Sequence, residues 1–93
     1  MPKYYAYMIA GYYLYFTSKC IVEAFHVHAS DKRLSEESSA KFFVGSNGQT
    51  TVETRGQLTD RDIRKIQAFI LNHYKEMYIL WSEYGGGDYY HNV

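Results

Sequence analysis

The stretch "EAFHVHAS" sets His26 and His28 one residue apart. In an extended chain alternate residues leave the same face, so the two imidazoles stand side by side. Such a pair could begin a metal site, act as an acid and a base near neutral pH, or form part of a recognition surface. Two ligands do not make a site, because zinc takes three or four. The residues that could complete one are Cys20, Glu23, Asp31, His73 and His91, and none sits at a recognisable ligand spacing. No metal or cofactor is therefore expected, with His26 and His28 the only pair that could start a site.

The other chemistry-bearing residues are weaker. His73 falls within the apolar arc of a helical segment, near Ile66, Ile70 and Met77, where a histidine is ordinarily hydrogen-bonded at a core edge. Cys20 lies in an apparent turn with nothing to place a base beside it. "GGG" at 85–87 ends a helix instead of opening one, the wrong polarity for holding a phosphate. Arg55, Arg61, Arg64 and Lys65 cluster around a helix start and could meet an RNA backbone, but Asp60 and Asp62 interleave with them.

Charge is balanced, with 10 basic and 10 acidic side chains, so attraction to nucleic acid is not indicated. The one cysteine cannot form an internal disulfide, which fits a reducing, cytoplasmic setting. The opening "MPKYYAYMIAGYYLYF" is broken by tyrosines and Gly11, too interrupted for a signal peptide or a membrane span. Eleven tyrosines bring an apolar body with a polar tip to half-buried faces and interfaces.

The elements that would position these residues follow from hydrophobic period. Tyr4–Ile9, Tyr12–Thr17 and Ile21–Ala29 read in period two, with "AGY" between the first two as a tight turn or a bulge. Phe25, Val27 and Ala29 share the better core face, so His26 and His28 look away from the side a helix would cover. "SDKRLSEESS" is a loop, "AKFFVG" a short strand, and Asn47-Gly48 a hairpin turn in which both residues tolerate positive φ. "QTTVET" returns as a threonine-rich edge strand. Thr59 and Asp62 then form a capping pair, and Ile63, Ile66, Ile70, Tyr74, Met77 and Trp81 recur at helical spacing. The helix would run about 24 residues, roughly 36 Å. Leu71, Tyr78 and Ile79 fall outside its core stripe.

The expected fold is α+β: an antiparallel sheet of four to five strands packed against one long C-terminal helix. A single domain would cover 1–93, with strands over roughly 4–54, the helix over roughly 60–84 and a tail at 85–93.

Read in order, "GYYLYF", "FHVHAS", "AKFFV", "RGQLTDRDIRKIQAFI" and "WSEYGG" resemble domain-of-unknown-function family 4160, small bacterial proteins, from about Gly11 to Gly86. By position, the family's paired histidines correspond to His26 and His28, its strand after the loop to Ala40, Lys41 and Phe42, and its terminal tryptophan to Trp81. Members usually carry two prolines before the first histidine, where this chain has Ala24 and Phe25, and the loop from Asp31 to Ser39 is longer than usual. The resemblance implies no reaction. Members are often encoded beside another small protein, which implies a binding partner in a toxin–antitoxin-type pair.

The leading expectation is a cytoplasmic protein-interaction module that binds a protein partner or itself, without membrane contact. Its surface would comprise His26, His28, Tyr13, Tyr15, Lys41, Arg55 and Trp81. The alternative is a histidine- or metal-assisted ribonuclease-type enzyme, with an acid–base histidine pair and arginine against phosphate.

Overall fold

A computed structural model describes residues 3–15, 24–30 and 39–83. Four short strands, β1 (Tyr13–Tyr15), β2 (His26–Ser30), β3 (Ala40–Val44) and β4 (Thr50–Thr54), form an antiparallel sheet in the order β1-β2-β3-β4. The 24-residue helix α1 (Asp60–Glu83) follows. The arrangement is the α+β one expected, and no helix among the described residues is long and apolar enough to cross a membrane.

One sheet face makes the core. The register sets Leu14 beside Ala29, Val27 beside Phe42 and Phe42 beside Val52. Against them α1 turns Ile63, Ile66, Ile70, Met77 and Trp81, all buried. Period two and period 3.6 thus meet in one apolar layer, as the residue pattern requires. Tyr74 is only half-buried, and Tyr78 is not on the outer flank as its spacing suggested. Its ring packs edge-on to Phe25 at 5.4 Å and lies 6.1 Å from Trp81. Across six turns a helical stripe drifts, and a bulky ring beside the sheet recruits the neighbouring position. Leu71 and Ile79 do stay outside, at 50% and 55% exposure.

The first tyrosine-rich run differs from expectation. Instead of a strand over Tyr4–Ile9 there are isolated bridges, Lys3 to Tyr15 and Ile9 to Tyr12. Ile9 and Tyr12 exchange both backbone hydrogen bonds around Ala10 and Gly11, whose φ values are 55° and 88°. The "AGY" break is therefore a two-residue hairpin turn and no bulge, with Ala10 in a conformation that disfavours its Cβ. The segment that precedes it docks on α1 through rings: Tyr5 stacks on Tyr7 at 5.2 Å and meets Phe69 edge-on at 5.4 Å. Burial, with the Glu76 carboxylate beside it, raises the Tyr5 phenol above its ordinary range.

The Asn47-Gly48 hairpin is also of another kind. Gly48 N–H donates to the Gly45 carbonyl at 2.9 Å and Gly45 N–H to the Gln49 carbonyl at 2.8 Å. Gly48 takes positive φ (84°) but Asn47 does not. This is a three-residue loop in which the glycine makes the left-handed step. Asn47 instead uses its side-chain oxygen to accept from Gln49 N–H at 3.0 Å.

At the start of α1 the capping pair closes as expected. Asp62 N–H donates to Thr59 Oγ1 at 3.2 Å, and Thr59 N–H donates to Asp62 Oδ2 at 3.3 Å. Tyr12 Oη donates to the same carboxylate oxygen at 3.3 Å, tying the first hairpin to the helix. These donors, the Thr59 backbone N–H foremost, hold the Asp62 carboxyl below its ordinary range. Removing the cap by Thr59→Ala should cost about 1 kcal/mol near neutrality. Because the folded-state pKa of Asp62 is depressed, its stabilisation is complete above the ordinary carboxyl range and is lost as pH falls through the folded value. Urea unfolding of wild type and Asp62→Asn should therefore show a gap near neutrality that closes in acid. A gap constant with pH would mean that the carboxylate charge plays no part.

Candidate functional site

The register gathers the expected residues on the sheet face opposite the core. Tyr15, His28 and Lys41 form one cross-strand row over β1, β2 and β3, and His26 pairs with Phe43 in the next. Alternation places them there for the same reason that it sends Val27 and Ala29 inward. His26 and His28 lie edge-on with centroids 5.0 Å apart, and Tyr15 stacks on His28 at 5.3 Å. Lys41 reaches Glu53 at 3.5 Å and sits 4.9 Å from the Phe43 ring centre, while Lys3 covers the Tyr13 ring at 4.1 Å.

This face is not uniformly wet. His26 and Tyr15 are fully buried, His28 is half-buried, and Trp81 is buried with its ring centre 6.5 Å from His26. The expectation that both imidazoles look into solvent is corrected for His26. Alternation decides which side a residue leaves, but not what covers that side. The His26 Nδ1 lies 2.8 Å from the Ala24 carbonyl, which can only accept, so Nδ1 carries the proton and donates. Tyr4 Oη donates to the His26 carbonyl at 2.9 Å. His26 is thus held at ring and backbone, a positioned interior group.

That placement bears on the chemistry. An acid–base pair acting on a phosphate diester needs both rings within reach of it, and His26 has no exposed surface. For a metal, Nδ1 of His26 is already engaged, and the described residues contain no cluster of three or more candidate ligands. Cys20, Glu23, Asp31 and His91, named above as completing ligands, lie outside the described residues. His73 is on α1, its Nδ1 2.8 Å from the Phe69 carbonyl and its ring stacked on Phe69 at 4.0 Å. It is the hydrogen-bonded helical histidine that its position in the sequence suggested.

Arg55 does not join the histidine face. It turns to the start of α1 and pairs with Asp60. There it borders a feature whose parts were legible but not their union, a groove between β4 and the flank of α1. One end, about 290 Å³, is lined by Gly48, Thr50, Gln67, Ala68 and Leu71. The other, about 490 Å³, is lined by Val52, Glu53, Arg55, Ile63 and Arg64. Its lining carries no charged side chain at the Leu71 end, and carries both signs of charge at the Arg55 end, with Glu53 and Asp60 beside Arg55 and Arg64. β4 beside it is mostly exposed and ends the sheet. The opposite edge is covered, since Lys3 bridges Tyr15 and Tyr4 N–H donates to the Leu14 carbonyl at 2.8 Å.

Comparison with known proteins finds one family model, Domain of unknown function (DUF4160), matching residues 11–82. That span takes in all four strands and nearly all of α1. No curated protein matches, and no solved structure matches.

Proposed function

The chain belongs to the DUF4160 family, and from that premise we propose that it is a protein-association module, one member of a toxin–antitoxin-like pair, acting in the cytoplasm. The observation that supports this reading is the β4 edge, which no other described strand pairs, with a groove alongside it. Unpaired strand backbone beside a groove is a surface that another chain satisfies by adding a strand, with groove contacts giving selectivity. Leu71, half-exposed at the groove mouth, supplies apolar area where that chain would lie. The partly exposed Tyr13, His28 and Lys41 on the face opposite the core offer a second contact surface, with the buried His26, Tyr15 and Trp81 packed among them.

If a small protein is encoded beside it, as the family resemblance implies, co-expression of the two tests the reading. The two should co-purify as a stoichiometric complex, and Leu71→Glu should weaken that complex at least tenfold without lowering the melting temperature of the isolated chain. Two proteins that elute separately at micromolar concentration would overturn it.

A further inference from the structure

Five of the ten basic side chains fall between residues 55 and 75, against two of the ten acidic ones, so a net charge of zero conceals a segregated charge. The helix collects that excess on one side. At about 100° per residue, positions 61, 64, 65, 68, 72 and 75 share one arc of α1. Arg61, Arg64, Lys65, Ala68, Asn72 and Lys75 are all exposed there, four cations with no acid among them, over roughly 21 Å of helix.

The two acids that interleave in the sequence are drawn off this arc. Asp60 pairs with Arg55, and Asp62 turns to the cap, where it accepts from Thr59 and Tyr12. Lys65 acts on Asp62 only as a neighbouring charge. Glu76, the next acid along the helix, stands beside the Tyr5 phenol. Among the described residues the four cations form no ion pair, and Lys75 lies 6.0 Å from the Tyr74 ring centre.

Rings border the same arc. Phe69, one turn beyond Lys65, stacks on His73 at 4.0 Å, and Tyr7 packs edge-on to Phe69 at 6.4 Å. Tyr5 stacks on Tyr7 at 5.2 Å, yet Tyr7 remains 54% exposed. Tyr7 and Lys65 are distant in the chain, so it is the docking of the first tyrosine-rich run on α1 that sets an open ring beside the cations.

We propose that this face of α1 binds a single-stranded nucleic acid, with phosphates along Arg61, Arg64, Lys65 and Lys75 and a base stacked on Tyr7. The face is distinct from the β4 edge, so this site and the association reading above can fail separately. A row of cations alone would suit any polyanion, an acidic protein segment included. The exposed ring narrows the choice, because a nucleotide brings a phosphate and a flat π-face together. A duplex keeps its bases stacked on one another and leaves Tyr7 nothing to hold.

Fluorescence anisotropy of a labelled oligouridylate of about 12 nucleotides, titrated with the full chain, tests the site. With about three to four phosphate contacts, raising salt from about 50 to 200 mM should weaken binding about 20- to 50-fold. Arg61→Gln combined with Lys65→Gln should lower affinity about tenfold or more at the lower salt and flatten the salt dependence, with circular dichroism unchanged. Tyr7→Ala should weaken the oligouridylate about tenfold but leave an abasic oligomer of equal length unaffected. Lys41→Gln, which removes a cation on the sheet, should change neither. No binding at the lower salt, or a double variant that binds as tightly as wild type, would overturn the site. Abasic and uridine oligomers bound alike, or displaced one for one by oligoglutamate, would overturn nucleic acid as the occupant and put an acidic protein segment in its place.

Discussion

Replacing Trp81 with alanine is expected to destabilise the protein by about 3–5 kcal/mol, the usual cost of deleting a fully buried indole. For a chain of this size that is a large part of the total stability, and the melting temperature should fall by at least 10 °C. Trp81 has no exposed surface and lies against Phe25 at 5.4 Å, with Tyr78 and His26 beside it. Its removal therefore empties space shared by the core and the underside of the histidine face. Trp81→Phe should cost much less, about 1–2 kcal/mol, because the ring body is kept. Among the described residues the indole Nε1–H has no acceptor, so phenylalanine forfeits no hydrogen bond to any of them. Urea unfolding followed by circular dichroism measures both variants, since Trp81 is the only tryptophan fluorophore. Equal losses for Phe and Ala would show that Nε1–H, and not ring volume, is what the site uses.

The second large effect is at Gly48. A Cβ there would lie 2.6 Å and 2.7 Å from two Tyr74 ring carbons and 3.1 Å from Leu71 Cδ1, on a residue whose φ is 84°. Left-handed strain adds about 1 kcal/mol and forced repacking a further 1–2, so Gly48→Ala should lose about 2–3 kcal/mol. Asparagine tolerates the left-handed region, so in a free turn Gly48→Asn would cost little. Here it carries the same Cβ into the same ring and should recover only the backbone part. A double-mutant cycle with Tyr74→Ala should show positive coupling between the sites. If Gly48→Asn proved as stable as wild type, the turn would not be pressed against α1 as described.

Much of this architecture is legible in the sequence because it rests on local rules. Period two marked β2, β3 and β4. Period 3.6, with the Thr59–Asp62 pair, marked α1 to within a residue. The face shared by His26 and His28 followed from alternation alone. What could not be read locally is what lies against each face. His26 and His28 are equivalent by pattern, yet one is buried and hydrogen-bonded to Ala24 while the other is half-exposed. Gly48 read as a turn residue, and its second constraint comes from Tyr74, which only tertiary packing brings near. The isolated bridges at Lys3 and Ile9 show the same limit. Tyrosine-rich residues there satisfy strand propensity, but their rings dock on α1 and the ladder is broken. The β4–α1 groove was present only as two separate hints, an edge strand and a stray Leu71.

The meander order of the sheet has a kinetic consequence. Every described strand pairs with its nearest neighbour in the chain, so each pairing is local in sequence and little entropy is lost before contacts form. The helix is different: the bond from Tyr12 to Asp62 spans 50 residues, and α1 must fold back over a sheet that precedes it. Docking of the helix is then the slow event. Substitutions at the sheet-facing side of α1 would show in the refolding rate, whereas changes confined to the outer edge of β4 would pass almost unseen in both directions of the reaction.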